Sequence, residues 1–267
     1  MRAQEWLADP ALAAIGRSFL VDEYEAVARS AGVDASVLVQ TVTVADETSE
    51  MCEIAENSSV VQAVVGWIDL TSAGAAHDLE RLLRDPHGRW LRGIRHQVQG
   101  EPDPAWLCRD DVRAGLAVVA DAGLVYEVLV FPEQLPAVIE TVRDLPQLRF
   151  VLDHCAKPAI ASGDLTDWAA RVRELATLPN VACKLSGLVM EADWEEWQPA
   201  DLRPVAEVVI EAFGAGRVMV GSDWPVCLLA GSYDEVLTAY DGLLGGCSPD
   251  EQAAMRGGNA AATYRMP

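Results

Sequence analysis

From residue 36 onward, short apolar runs recur along the chain, and each is followed by a stretch of helical period. The runs at 36–41, 61–68, 91–98, 124–130, 149–153, 181–185 and 217–221 are mostly rich in Val and Leu without strict alternation. That pattern predicts parallel strands covered on both faces. Between them, Leu79, Leu82 and Leu83 form an apolar stripe among Asp78, Glu80, Arg81 and Arg84. Val138, Ile139 and Val142 share a face within 135–145, and 207–213 carries another apolar helix face. An amphipathic helix is predicted at 21–31, preceded by a turn near Trp6 and Pro10. Ser248-Pro249-Asp250-Glu251 reads as a capping box with proline at the first helical position, and Ser232 with Glu235 as a second cap.

Strand–helix alternation repeated about seven times means a parallel sheet, either closed or doubly wound. A wound, nucleotide-binding sheet calls for G-x-G-x-x-G between a strand and a helix. The nearest sequence, Gly214-Ala215-Gly216, precedes a strand and lacks the rest. The expected fold is therefore α/β, a (β/α)8 TIM barrel. Only seven of its strands can be found, because nothing before residue 36 reads as the first. No linker-like stretch divides the chain, so residues 1–267 are read as one domain.

Composition narrows the partners. Hydrophobic residues make up 51% of the 267 and charged residues 23%, enough for a packed core. A net charge of −21 and a pI near 4.4 argue against nucleic acid or an anionic membrane as partner. They suit a neutral substrate that becomes an anion on reaction. The six cysteines form no C-x-x-C pair and are expected to be reduced and buried in a cytoplasmic protein. The N-terminus has no signal-peptide pattern, and no apolar run approaches the roughly 18 residues of a membrane span. Homo-oligomer formation is left open.

In barrels of this kind, reactive groups stand at the C-terminal ends of strands. The residues ending the apolar runs are Gln40, Trp67 with Asp69, Arg95 with His96, Glu127, Asp153 with His154, Lys184, and Ser222-Asp223-Trp224. Of the four histidines, His77 and His87 are expected at the surface. His96 and His154 end strands, where each is either a hydrogen-bonded structural group or one that polarises a carbonyl or binds a metal. The only two lysines are Lys157 and Lys184. Lys184 is read as a pocket cation or as half of a salt bridge, and Lys157 is left equally open. Asp223 follows a hydrophobic strand, where a carboxylate serves as general base or metal ligand, or else caps the turn before Pro225. Asp153 points away from its neighbour His154 and is read as structural or supporting. Of the eight tryptophans, Trp224 is the candidate for the pocket, with a core role as the alternative.

Four segments carry a family likeness: Gly93-Ile94-Arg95-His96, Leu152-Asp153-His154-Cys155-Ala156-Lys157-Pro158, Cys183-Lys184-Leu185-Ser186-Gly187 and Gly221-Ser222-Asp223-Trp224-Pro225. In this order they resemble the amidohydrolase-related lactonases, a group that includes L-fuconolactonase-like sugar lactonases and 2-pyrone-4,6-dicarboxylate lactonase. The closing Gly258-Asn259-Ala260-Ala261 resembles that family's final helix, so the likeness runs over about residues 6–264. It implies a distorted barrel in which Asp223 takes a proton from the attacking water. His154 would hold that water, the lactone carbonyl or a metal. Arg95 and His96 would line the substrate site, with Gln40, Lys184 and Trp224 as further candidates. Some members carry zinc and others work without metal, so one divalent ion held by His154 and Asp223 remains open.

One departure from the pattern stands out. The family's first strand ends in His-x-His, and this sequence contains no such pair. It joins the pattern just after that strand, around Gln4-Glu5-Trp6-Leu7. Either Met1 is an internal start, the reading we favour, or the short form is genuine. The expected reaction is hydrolysis of a small sugar-type lactone to the hydroxy acid. The alternatives are a decarboxylase of the same superfamily, a lysine-dependent aldolase or lyase on Lys184, and a non-catalytic remnant. No G-x-S-x-G elbow supports a serine hydrolase.

Overall fold

The computed structural model describes residues 9–266. Its centre is a parallel sheet of seven strands: β1 (Ser36–Val39), β2 (Val61–Gly66), β3 (Leu91–His96), β4 (Val125–Val128), β5 (Arg149–Leu152), β6 (Val181–Leu185) and β7 (Val218–Val220). They pair in sequence order, each with the next, so β1 and β7 are the edges among the described residues. All seven predicted runs become strands, with ends trimmed by a few residues. The segment around Gln4-Glu5-Trp6-Leu7, and with it most of the predicted turn, lies outside the described residues. From Asp9 onward the chain forms a 3-10 turn, Pro10–Ile15, capped by the Asp9 carboxylate accepting from Ala11 N at 2.9 Å.

Helices α1 (Val21–Ser30), α2 (Ala45–Asn57), α3 (Ala75–Arg84), α4 (Asp110–Asp121), α5 (Leu135–Asp144), α6 (Thr166–Ala176), α7 (Pro199–Phe213) and α8 (Tyr233–Leu243) cover the sheet. The short α9 (Pro249–Ala253) and α10 (Asn259–Tyr264) close the described chain. Both predicted capping boxes form, with Ser232 and Ser248 each accepting from the backbone three residues on. Helix α7 already begins at Pro199. Its first half was hidden by two residues that read as breakers: Pro199, which is tolerated at the first helical position, and Pro204, which stands inside the helix. In α3, Leu79 and Leu82 are buried, while Leu83 faces solvent at 38% exposure, so the stripe is narrower than expected. Four cysteines are buried as predicted; Cys108 and Cys247 are only half-buried, and all six are free. His77 is exposed, but His87 is half-buried beside Glu56, its Nδ1 3.7 Å from the carboxylate.

Strand alternation sorts the core into two layers. Ile94, Tyr126, Val128, Phe150, Leu152, Cys183 and Val218 face the helices. Ala63, Val65, Val125, Val151 and Met219 face inward and meet Tyr264 of α10, with Val37, Val39 and Ala182 packed alongside. Every strand except β3 contributes to that small inner cluster, which is how the sheet curls around its own interior. No described helix is long and apolar enough to cross a membrane.

Candidate active site

One residue further along the inward-facing positions, the apolar layer gives way to charge. Arg95, Glu127, Asp153 and Lys184 come from the ends of β3, β4, β5 and β6, and the sheet register sets Arg95 beside Glu127. Lys184 Nζ lies 2.7 Å from both Glu127 Oε2 and Asp153 Oδ1. Asp153 also meets Arg95 Nη1 at 3.0 Å. Arg95 donates through Nε and Nη2 to Gln40 Oε1 at 3.2 and 3.1 Å, and through Nη2 to the Gln40 carbonyl. Tyr264 OH donates to Glu127 Oε1 at 2.5 Å. Gln40, Glu127 and Asp153 are wholly buried.

Burial pushes the Glu127 carboxyl up, reinforced by Asp153 and only partly offset by Lys184. Burial acts on Asp153 in the same direction, yet Lys184 and Arg95 together hold it below the usual carboxylate range. Lys184 is likewise held above its ordinary value against burial, because two carboxylates face it. The lysine is thus a protonated cation inside a network that is closed on most sides. Both sequence readings of Lys184, pocket cation and salt bridge, bear on one group, and the salt bridges dominate its contacts.

His154 and Asp223 meet at a second centre. His154 Nε2 is 3.6 Å from Asp223 Oδ1, while Nδ1 shares a 2.9 Å hydrogen bond with Ser186 Oγ. The two side chains are 12% and 20% exposed, open enough for a small ligand to reach and closed enough to limit water. Burial lowers the His154 pKa, although Asp223 and Asp153 pull the other way, so the ring is neutral at neutral pH. An oxygen atom can lie within hydrogen-bond reach of both groups.

The backbone needed for this geometry is unusual. His154, Cys155, Ala156 and Lys157 all adopt the left-handed region, with φ of 48°, 53°, 58° and 51°. Each such residue costs roughly 1–2 kcal/mol relative to the right-handed form. The loop is held by Trp168 Nε1 donating to the Cys155 carbonyl at 2.7 Å, by Cys155 Sγ to the Lys184 carbonyl, and by full burial of Cys155 and Ala156. Asp223 is left-handed too, at φ 58°. Gly187 sits against the imidazole at φ 66°, where an added Cβ would fall 2.8 Å from His154 Nδ1.

The remaining candidates are placed elsewhere. His96 lies on the opposite strand face from Arg95. It accepts from Trp67 Nε1 at 3.0 Å, meets Glu101 at 2.8 Å and stacks on Trp106 with centroids 4.4 Å apart. Both ring nitrogens are engaged. Trp224 packs against Phe19 and Tyr24, centroids 5.1 and 5.2 Å away, so the segment before β1 buttresses the loop after β7. Lys157 stands over the Phe131 ring at 5.3 Å.

Two neighbours escaped the sequence reading. Ser186, bonded to His154, lies inside the Cys183-Lys184-Leu185-Ser186-Gly187 motif with no signal of its own. Glu191, whose carboxyl is pushed up by burial and stands within the influence of Lys157 and Asp223, lies in a loop where no strand end marked it. As a metal site the centre offers His154 and Asp223. No group of three or more His, Cys, Asp or Glu side chains could hold an ion among the described residues. Catalytic zinc usually takes three protein ligands, so this donor set does not fit it.

A family sequence model described as Amidohydrolase matches residues 3–266. The L-fucono-1,5-lactonase of Burkholderia multivorans is 40% identical over 264 residues, covering 95% of this chain and 88% of that protein. The L-fucono-1,5-lactonase of Burkholderia ambifaria is 38% identical, covering 96% and 88%. A crystal structure of an amidohydrolase from Burkholderia multivorans with bound zinc superposes at TM-score 0.93 with 39% identity, over 98% of this chain and 93% of that one.

Proposed function

The chain belongs to the amidohydrolase family, and on that premise we propose that it hydrolyses a small sugar-type lactone to its hydroxy acid. The observation that carries this reading is the convergence of Asp223 and neutral His154 at the ends of β7 and β5. Asp223 accepts a proton from water as the water oxygen bonds to the lactone carbonyl carbon. In the tautomer in which Ser186 donates to His154 Nδ1, the proton stands on Nε2 and stabilises the oxygen that becomes negative. The ring C–O bond then breaks, its electron pair stays on the ring oxygen, and that oxygen takes the proton back from Asp223. The product ionises to a carboxylate, which the strongly negative protein repels.

His154 and Asp223 are two donors, short of the three protein ligands usual for a catalytic zinc. Lys184 and Arg95 act as supports: they neutralise Asp153, which precedes His154, and fix the ends of β3 to β6. A lysine-dependent lyase is disfavoured because an imine needs a neutral amine, and Lys184 is held protonated by two carboxylates. We further read the described sheet as part of a single (β/α)8 unit of this family without its first strand, because β1 and β7 are edges among the described residues. The six free thiols fit a reducing, cytoplasmic compartment.

The test is a panel of aldonolactones, L-fucono-1,5-lactone first, followed by acid release with a pH indicator. Borohydride is added to a parallel sample. Catalysed acid release without a covalent lysine adduct is expected. A stable mass increase on Lys184, or no turnover of any lactone, overturns the reading.

A further inference from the structure

At the other end of the strands from His154 and Asp223, the starts of β3 and β5 and the C-terminal segment line a half-open cavity of about 210 Å³. Four arginines line it, Arg89, Arg92, Arg149 and Arg265, and no acidic residue does. In a chain with 41 acidic and 20 basic side chains, so one-sided a lining runs against the composition. Arg89 is accounted for by Glu56, 2.7 Å away. The other three have no carboxylate partner among the described residues. Arg149 donates only to the neutral carbonyls of Thr263 and Gly123, at 3.3 and 3.2 Å. The Cβ position of that same Gly123 lies 3.7 Å from both Nη atoms of Arg265, so two guanidiniums meet at one glycine. Arg92 Nε is buried with no hydrogen-bond partner. Burial and the charge of Arg265 hold both Arg92 and Arg149 below the ordinary guanidinium value, as expected of cations gathered without a counter-charge.

Three like charges around one cavity repel, and an unpaired buried donor costs free energy; an anion would remove both penalties. Guanidinium forks match the oxygens of phosphate and carboxylate in paired hydrogen bonds. At about 30 Å³ per water, the cavity has room for a small oxyanion with part of its hydration. We propose that this cavity binds a small oxyanion carrying two or more negative charges, a phosphate or a polycarboxylate, at the end of the strands remote from the catalytic centre. Tyr264 also lines the cavity, and its hydroxyl reaches Glu127. The occupant would therefore be one side chain away from the buried network below the catalytic groups.

The experiment follows binding to the full chain by calorimetry and thermal unfolding. Inorganic phosphate and citrate are compared with chloride at matched ionic strength. The expected result is a saturable rise in Tm with phosphate or citrate that chloride does not give, and the tighter of the two identifies the source. Arg92→Gln and Arg265→Gln should each weaken that affinity at least tenfold; Arg149 is left intact because it ties two backbone carbonyls. On the unaltered chain, the same anion should slow phenylglyoxal labelling of Arg92 and Arg265 severalfold. Equal responses to all three anions, unchanged affinity in the two variants, or undiminished labelling would each overturn the site.

Discussion

His154 and Asp223 both stand on left-handed backbone that no glycine announces. Their chemistry was legible because each ends an apolar run; their conformation was not, because His-Cys-Ala-Lys carries no local signal for four left-handed residues. The turn exists because burial of Cys155 and Ala156 and the Trp168 hydrogen bond outweigh its local cost, and these are tertiary facts. Asp223→Asn should keep the fold and lower kcat by about 10²–10⁴-fold, since an amide cannot take the proton of water. Near wild-type turnover in a lactone assay would remove Asp223 from the reaction. The pH profile follows from His154. Its pKa is lowered by burial, so the required neutral ring persists through neutral pH and is lost only as pH falls below the ordinary histidine value. The acid limb of kcat/KM governed by His154 should therefore lie below 6.5. The same sign applies to stability: the unfolded chain takes up this proton first, so the contribution of neutral His154 fades as pH falls. An acid limb centred above pH 7 would contradict the assignment.

At the scale of elements, the seven strands were readable since fully covered parallel strands are continuous apolar runs, and that signal survives without any partner in view. What joins strand to strand was not readable. Glu127 and Lys184 lie on adjacent-but-one strands, and nothing in the chain between them says that their charges touch. The network ties Lys184 to two buried carboxylates. Lys184→Met should lower unfolding free energy by about 3–5 kcal/mol in urea titrations, because it strands two buried carboxylates. Glu127→Gln should cost less, since that carboxyl is already pushed toward its neutral form. A loss under about 1 kcal/mol for Lys184→Met would mean that water screens these pairs. Helix packing sets a second limit. Gly115 lets α4 approach the chain after β2 so closely that an added Cβ would lie 2.3 Å from the Leu70 carbonyl oxygen. Gly115→Ala gains helix propensity of roughly 1 kcal/mol but must displace backbone, at roughly 1–3 kcal/mol. Net destabilisation, read as a lower Tm, is expected, and a raised Tm would show that α4 shifts freely.

For the whole molecule, the decisive feature is that the curled parallel sheet ends in two edges among the described residues. Strand β1 is half-buried at all four positions and β7 has only three residues, whereas every residue of β4 is buried. Interior strands have hydrogen-bonded neighbours on both sides, and β1 and β7 have one each among the described residues. Local opening free energy grows with buried contacts and with backbone groups shielded from water. Edge amides should therefore exchange by small local openings, and those of β4 only when most of the molecule unfolds. The aromatic contact of Trp224 with Phe19 and Tyr24 clamps the loop after β7 but adds no backbone pairing to the strand itself. Hydrogen exchange followed by peptide mass should accordingly show Val37–Val39 exchanging at least tenfold faster than Val125–Val128, with β7 between them. A longer chain that supplied a strand between β1 and β7 should slow exchange at both edges and leave β4 unchanged. Uniform protection across β1, β4 and β7 in the chain as it stands would mean that the edges are already paired, and that the open-sheet description is wrong.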